Sequence, residues 1–365
     1  MKKINLGVYP FEESFIPILR YKELFDKYRF CQLIKHNGDS LSENEIKEIS
    51  TCARECSQIN WEDLNNDSRL DMLLVTRDVE KLEWDVAVGV IEKYCKMGIG
   101  ILLMGVQTVK GKIQEICTSY NVMCKTSDEI SFANKKVDYR NMKYSLAQQT
   151  IETPIVSVAG VVPVTQKYQI QLDLFDNFKK DGYKVTLVGT GCMNELIDSY
   201  SVDDVLFCRE LSEVHRIHYF NDFIKEIEKQ EEPDVIIIGV DDPLLSLSSR
   251  HPFNYGIYAS ELYSAFTPDV SVIALMNGTY NDEFYDEFGK LCRFKYNFEA
   301  SAYFVSRYVP LSASMYREKL SYAYANEIQN TSNKYTVFSN ADIEQKSIYN
   351  FVLKKLQQFG RCEQF

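Results

Sequence analysis

Residues 154–167 place the tightest limit on the fold, because they show the pattern of a buried strand, a short loop and the start of a helix. The apolar strand pattern ends at Gly160, and the loop that follows carries Thr165, Gln166 and Lys167. A strand, a glycine-containing loop with a lysine, and a helix form a P-loop, in which backbone N–H groups and the lysine hold phosphate. The segment therefore predicts an α/β unit with a parallel sheet and a phosphate site at these residues.

The loop departs from the P-loop consensus at two important positions. Gln166 stands where a glycine normally precedes the lysine, and Tyr168 replaces the serine or threonine whose hydroxyl meets magnesium. Residues 161–165 also make the loop one residue longer than the consensus. We therefore expect weak or absent ATP or GTP binding and hydrolysis with Mg²⁺, and Lys167 as part of a residual anion site. The alternative is that Lys167 is simply a solvated residue at the start of a helix.

The length and the strand–helix alternation predict two domains. A chain of 365 residues exceeds one typical core, and its 45% hydrophobic and 25% charged residues are ordinary for a globular protein. We predict an α/β fold with two parallel-sheet, three-layer domains. Residues 1–125 form a Rossmann-like or flavodoxin-like domain, 126–150 a polar connection, 151–310 a P-loop-like domain and 311–365 a helical extension.

Charge and hydropathy exclude some partners. The net charge of −11 argues against nucleic acid or an anionic membrane as the main partner, since phosphate contacts need clustered Lys and Arg. No window approaches eighteen uninterrupted apolar residues, so no membrane span is predicted and a cytoplasmic location is expected. The cysteines are scattered without zinc-ligand spacing, which is typical of buried thiols in a reducing compartment.

Several polar segments follow strands of the second half, and ligands of open parallel sheets bind outside the carboxyl ends of the strands. Asp241 and Asp242 end an apolar strand, where a P-loop enzyme carries the acidic residue of its magnesium site. Gly189 and Gly191 end another strand and are candidates for phosphate contact. The alternatives are that the aspartates only end a strand and that the glycines only form a tight turn.

The loop after Asp242 holds the predicted substrate contacts Arg250, His251 and Asn254. One pair of histidines, His215 and His218, lies on one face of a predicted helix, but no third metal ligand is evident and a surface or packing role is favoured. No nucleophile–base pair stands out, so the catalytic residues stay unassigned and enzyme activity is an open question.

The chain resembles the uncharacterised clostridial "peptide maturation system" proteins of natural-product gene cassettes. The segments that carry the resemblance are residues 9–15 and 17–22, the loop 160–168 with Gln171-Leu172, and residues 179–185, 232–239 and 254–257. The resemblance covers most of residues 1–310, and the layout of a Rossmann-like half before a P-loop-like half is similar to a broader group of bacterial proteins of unknown function. It implies a role in making or processing a ribosomally encoded peptide, without an assigned reaction.

Two functional hypotheses follow from the resemblance and the altered loop. The first is a non-catalytic accessory protein that binds the precursor peptide or a peptide-modifying enzyme. The second is a nucleotide-dependent enzyme that activates or modifies the peptide through Asp241 or Asp242. An accessory protein needs an interface, and the aromatic residues of segment 296–325 predict a homodimer or partner surface there. The alternative is that these rings pack against their own domain.

Overall fold

The structure is a computed structural model of the chain. It describes residues 3–36, 49, 51, 56–60, 70–126, 147–189, 194, 196–197, 199–202, 211–316, 320, 322–326 and 332–359. The chain divides into two compact units, Met1–Lys135 with Cys192–Asp198, and Lys136–Gly191 with Ser199–Phe365. Each unit is built on a parallel sheet with helices, which confirms the predicted fold class. The sequence also predicts a helix over residues 43–48, and these residues lie outside the described part of the chain.

The first unit has the strand order of a Rossmann fold. Its described strands are β1 (Ile4–Tyr9), β2 (Tyr28–Lys35), β3 (Ser57–Asn60), β4 (Met72–Thr76), β5 (Gly100–Met104) and β6 (Cys124–Thr126). Its described helices are α1 (Ile16–Arg20), α2 (Trp84–Lys96) and α3 (Lys110–Ser119). The order is β3-β2-β1-β4-β5-β6, and every neighbouring pair is parallel. This order, rather than the flavodoxin order, is that of dinucleotide-binding folds.

The core of the first unit explains why its central strands were recognisable. Every residue of β4 and of β5 is buried, as expected for parallel strands covered on both faces. On α2 the buried side chains Val90, Ile91 and Tyr94 recur at helical spacing and join the core with residues of these strands. The Tyr94 hydroxyl donates a hydrogen bond of 2.9 Å to Gln32, which satisfies its buried polar group.

The second unit contains a larger sheet. Its described strands are β7 (Ile155–Gly160), β8 (Val185–Gly189), β9 (Tyr200–Ser201), β10 (Val235–Val240), β11 (Val270–Leu275), β12 (Ala302–Val305), β13 (Tyr308–Pro310), β14 (Tyr322–Tyr324) and β15 (Val337–Phe338). The order is β15-β12-β11-β7-β10-β8-β9 with all pairs parallel, and β13 and β14 form a separate antiparallel pair. Strand β10, which Asp241 directly follows, therefore lies beside β7, which leads into the predicted phosphate loop.

Helices cover both faces of this sheet and complete three layers. They are α4 (Lys167–Lys180), α5 (Glu213–Glu231), α6 (Ile257–Ala265), α7 (Asp282–Tyr296), α8 (Asn340–Glu344) and α9 (Ser347–Phe359). Helices α5, α6 and α7 share one core with the strand residues Ile236, Ile238 and Val240. Helices α4 and α9 pack on the other face and on each other, with Phe178 and Tyr349 in edge contact at 5.0 Å.

Two described elements beyond residue 310, β15 and α9, belong to the same sheet and core. Strand β15 pairs with β12, and α9 packs against α4 and β11. The aromatic segment predicted as an interface is mostly core, because Tyr296, Tyr303 and Tyr308 are buried within their own unit. The interface prediction is therefore wrong for these rings, whereas Tyr316 is 81% exposed. No helix in the described part of the chain combines the length and hydropathy needed to cross a membrane.

Candidate functional site

The carboxyl edge of the second sheet brings several of the predicted segments together. Strands β7 and β10 pair in register from Ile236↔Ile155 to Val240↔Ala159, so Gly160, the last residue of β7, and Asp241, the first residue after β10, lie at neighbouring strand ends. Strand β8, on the other side of β10, ends at Gly189, which remains a strand residue paired with Gly239 and Ser201. Gly191 lies outside the described residues.

Gln166 takes a left-handed backbone conformation, which glycine adopts at the least cost. Its φ of 56° and ψ of 15° are left-handed, and α4 begins at the next residue. The side chain is tied to elements far along the chain, because its Oε1 accepts from the Arg307 amide at 2.8 Å and its Nε2 donates to Asn340 Oδ1 at 2.9 Å. Nε2 also donates to Gln169 Oε1 at 3.0 Å. These bonds offset the cost of a left-handed non-glycine residue.

Gly160 is required by the close packing of the loop. A Cβ at this position would lie 2.3 Å from Thr165 Oγ1 and 3.2 Å from Lys167 Cδ, so the two side chains converge above the glycine. Thr165 is buried, and its hydroxyl has no hydrogen-bond partner. Such an orphaned buried hydroxyl is uncommon and calls for an explanation, for which a bound ligand is one candidate.

Lys167 is folded back into the loop. Its side chain is buried, and Nζ donates to Pro163 O at 2.5 Å and lies 3.8 Å from Asp241 Oδ1. Burial lowers the pKa of Lys167, and the charges of Asp241 and Asp242 oppose that shift. The alternative of a solvated lysine at a helix start is therefore wrong. The ammonium is placed inside the cradle formed by the loop and the amino terminus of α4.

The two aspartates after β10 have different environments. Asp242 is buried, where its Oδ1 accepts from Asn254 Nδ2 at 2.9 Å and its Oδ2 from the Ala259 amide at 3.1 Å. The hydrogen bond from the Ala259 N–H caps the first turn of α6, so Asp242 has a structural role. Burial raises the pKa of Asp242, although these hydrogen bonds act in the opposite direction. The Asp241 side chain is 40% exposed and faces the Lys167 ammonium.

The predicted substrate loop is tied to two different places. Asn254 is held on Asp242, whereas Arg250 Nη1 donates to the Tyr316 carbonyl at 2.6 Å and His251 Nε2 lies 3.1 Å from the Met315 carbonyl. Arg250 and His251 therefore fix residues 315–316. Within the described ranges, no group of three or more His, Cys, Asp or Glu side chains is placed to hold a metal ion.

The arrangement is chemically suited to holding an anion. It offers the amino terminus of a 14-residue helix, a buried lysine and an orphaned hydroxyl, all beside a glycine. Sequence reasoning missed Arg307 and Asn340, which anchor Gln166. They lie more than a hundred residues from the loop and belong to no local motif, so only the topology brings them near.

Comparison with known proteins supports the fold alone. No protein-family model matches the chain, and no curated protein matches it. Among solved structures, the chain is similar to a DUF1611 family protein from Anabaena variabilis, with a TM-score of 0.53, 11% identity, and coverage of 83% of this chain and 88% of that one. A putative oxidoreductase, yvaA, from Bacillus subtilis matches with a TM-score of 0.28 and 11% identity over 50% of this chain and 53% of that one.

Proposed function

We propose that this chain is a non-catalytic accessory protein of a ribosomal-peptide maturation system in the cytoplasm. It binds the precursor peptide or a peptide-modifying enzyme, and it keeps an anion site where a P-loop enzyme keeps its nucleotide. The resemblance of residues 1–310 to peptide maturation system proteins supports the biological role. The observation that carries the non-catalytic part of the proposal concerns Gln166, whose side-chain hydrogen bonds to the Arg307 amide and to Asn340 hold the loop in one conformation.

Two further features argue against nucleotide hydrolysis. Tyr168 follows the lysine where a serine or threonine would supply a magnesium ligand. Asp242, the more deeply buried of the two aspartates, already accepts hydrogen bonds on both oxygens. Catalysis of phosphoryl transfer depends on positioning and on metal-assisted charge stabilisation. A site that lacks the hydroxyl after the lysine, and in which the Asp242 carboxylate is already hydrogen-bonded, is suited to binding an anion without hydrolysing a nucleotide.

The second candidate function is a nucleotide-dependent enzyme that activates or modifies the peptide. The observation that favours it is the adjacency of β7 and β10, which sets Asp241 3.8 Å from Lys167 Nζ. P-loop enzymes use the same pairing of a lysine-bearing loop with an acidic strand end. In this second function, Asp241 holds the metal ion of the bound nucleotide and Lys167 contacts the nucleotide's phosphates.

Co-purification with the precursor peptide and the neighbouring modifying enzymes separates the two functions. The accessory protein is expected to form a stable complex whose peptide-modifying activity survives Lys167→Ala and Asp241→Ala. Lys180→Ala, which removes an exposed lysine at the other end of α4, is the matched control. Magnesium-dependent turnover of ATP or GTP that disappears in Lys167→Ala but persists in Lys180→Ala would establish the enzyme instead.

A further inference from the structure

The Lys167–Asp241 pair points to the class of ligand that this loop takes. We propose that the cradle at the start of α4 binds a phosphate ester without magnesium, and that Asp241 is the internal anion that the phosphate displaces from Lys167. The proposal rests on the anion site of the proposed function and specifies its ligand and its competitor.

The cradle itself has the elements of a phosphate site. Thr165 Oγ1 and the Lys167 side chain both lie above Gly160, at 2.3 and 3.2 Å from where a Cβ would sit. The Thr165 hydroxyl is buried without a partner, and Lys167 Nζ is held by one loop carbonyl. A phosphate oxygen that reaches the Thr165 hydroxyl satisfies it and replaces the weaker carbonyl contact of the Lys167 ammonium.

The donor set does not suit magnesium. Magnesium in nucleotide sites is held by a loop hydroxyl, a strand-end carboxylate and phosphate oxygens in near-octahedral geometry. Here the loop hydroxyl position is Tyr168, and both Asp242 oxygens accept hydrogen bonds from Asn254 and Ala259. Asp241 faces the lysine ammonium, so the one exposed carboxylate after β10 is used as a counter-ion.

Asp241 and a phosphate compete for the same cation. A carboxylate 3.8 Å from Lys167 Nζ stabilises the ammonium when the cradle is empty and repels a phosphate that approaches it. If Asp241 is a competitor, removing its charge strengthens phosphate binding. If Asp241 instead holds magnesium, removing its charge weakens binding. The two readings therefore predict opposite signs for one conservative substitution.

Isothermal titration calorimetry on the full chain tests the proposal with phosphate, pyrophosphate and ADP, each in EDTA and in excess magnesium. We expect binding in EDTA, and Asp241→Asn is expected to tighten it about fivefold, the change for a partly solvated charge pair. Glu287→Gln, an equal charge change at an exposed residue of α7, is the control and should leave affinity unchanged. Comparison of the three probes shows whether a lone phosphate, a diphosphate or a nucleoside adds affinity.

Thr165→Val provides a second variant that does not depend on charge. Valine keeps the shape and removes an orphaned hydroxyl, so the protein should be as stable as the parent or more stable, while phosphate affinity falls about threefold to tenfold. Binding that needs magnesium, or that weakens in Asp241→Asn, would overturn the magnesium-free assignment but leave the anion site. Absence of anion binding in both conditions overturns the proposal, whereas loss of the partner complex in co-purification overturns the accessory role.

Discussion

Gln166 gives the sharpest test of the loop geometry, because its backbone and its side chain make opposing contributions to stability. The left-handed conformation costs a non-glycine residue about 1–2 kcal/mol. Against this, Oε1 accepts from the Arg307 amide at 2.8 Å and from Asn340 Nδ2 at 3.2 Å, and Nε2 donates to Asn340 and Gln169. At about 1 kcal/mol for each hydrogen bond, and with water replacing some of them, the side chain stabilises the unit by about 2–3 kcal/mol.

Replacing Gln166 by alanine removes the hydrogen bonds and keeps the strain, whereas glycine removes both. We expect Gln166→Ala to lose about 2–3 kcal/mol of unfolding free energy. Gln166→Gly should lose about 0.5–1 kcal/mol less, because relief of the strain exceeds the added entropy of the unfolded chain. Gln169, inside α4, is the matched control, since glycine there should be about 1 kcal/mol worse than alanine.

Urea unfolding of the four variants, alanine and glycine at positions 166 and 169, measures these differences when it is monitored by far-ultraviolet circular dichroism. The key result is an inversion: glycine is better than alanine at 166 and worse than alanine at 169. If glycine is the worse residue at both positions, Gln166 is not left-handed and the loop geometry described above is wrong.

Three other predictions concern the rest of the chain. Glu261→Ala should lower the unfolding free energy by about 3–5 kcal/mol in chemical denaturation, because it removes the carboxylate that accepts two hydrogen bonds, at 2.7 and 2.8 Å, from the buried Arg216 guanidinium. Replacing both partners, Arg216→Met with Glu261→Leu, should lower it much less, because no buried charge then lacks its partner. Burial acts to raise the pKa of Glu228, but hydrogen bonds from a lysine and two backbone amides outweigh burial and lower that pKa. The ionised Glu228 therefore stabilises the folded protein above about pH 4.5, and this contribution is lost as the pH falls further. In thermal melts from about pH 6 to about pH 3, the melting temperature should fall less in Glu228→Gln than in the parent. Burial raises the pKa of Cys292 to about 12, so peptide mapping after alkylation at pH 8 should find Cys292 unmodified when half-buried Cys31 has reacted.

The strands that were predictable from the sequence include those that are both long and completely buried. Strand β10 is buried at every residue and appears as a continuous apolar run, and β7 is also buried at every residue, with Ser157 as its one polar side chain. Strands β9 and β15 have only two residues each, and β3 and β6 lie near sheet edges, so their hydrophobic pattern is too short to detect. Their positions depend on neighbours that are distant in sequence.

The candidate site divides along the same line. Gly160, Lys167 and Asp241 were recognisable because each ends a buried strand, directly follows one or begins a helix, and parallel strands end at one edge. The contacts that determine how the loop behaves were not, since Gln166 is held by Asn340 and the Arg307 amide. The sequence around Gln166 shows that a glutamine stands in the glycine position, but it does not show whether that side chain is hydrogen-bonded to distant residues.

The C-terminal part of the second unit has a consequence for synthesis on the ribosome. Strand β15 and helix α9 are the last elements described, yet they complete one edge of the sheet and cover α4 and β11. Until residues 337–359 have been translated, β12 presents an unpaired strand edge and part of one sheet face has no cover. The nascent chain therefore exposes part of the apolar surface of this sheet until α9 has been translated, which favours aggregation of the incomplete unit.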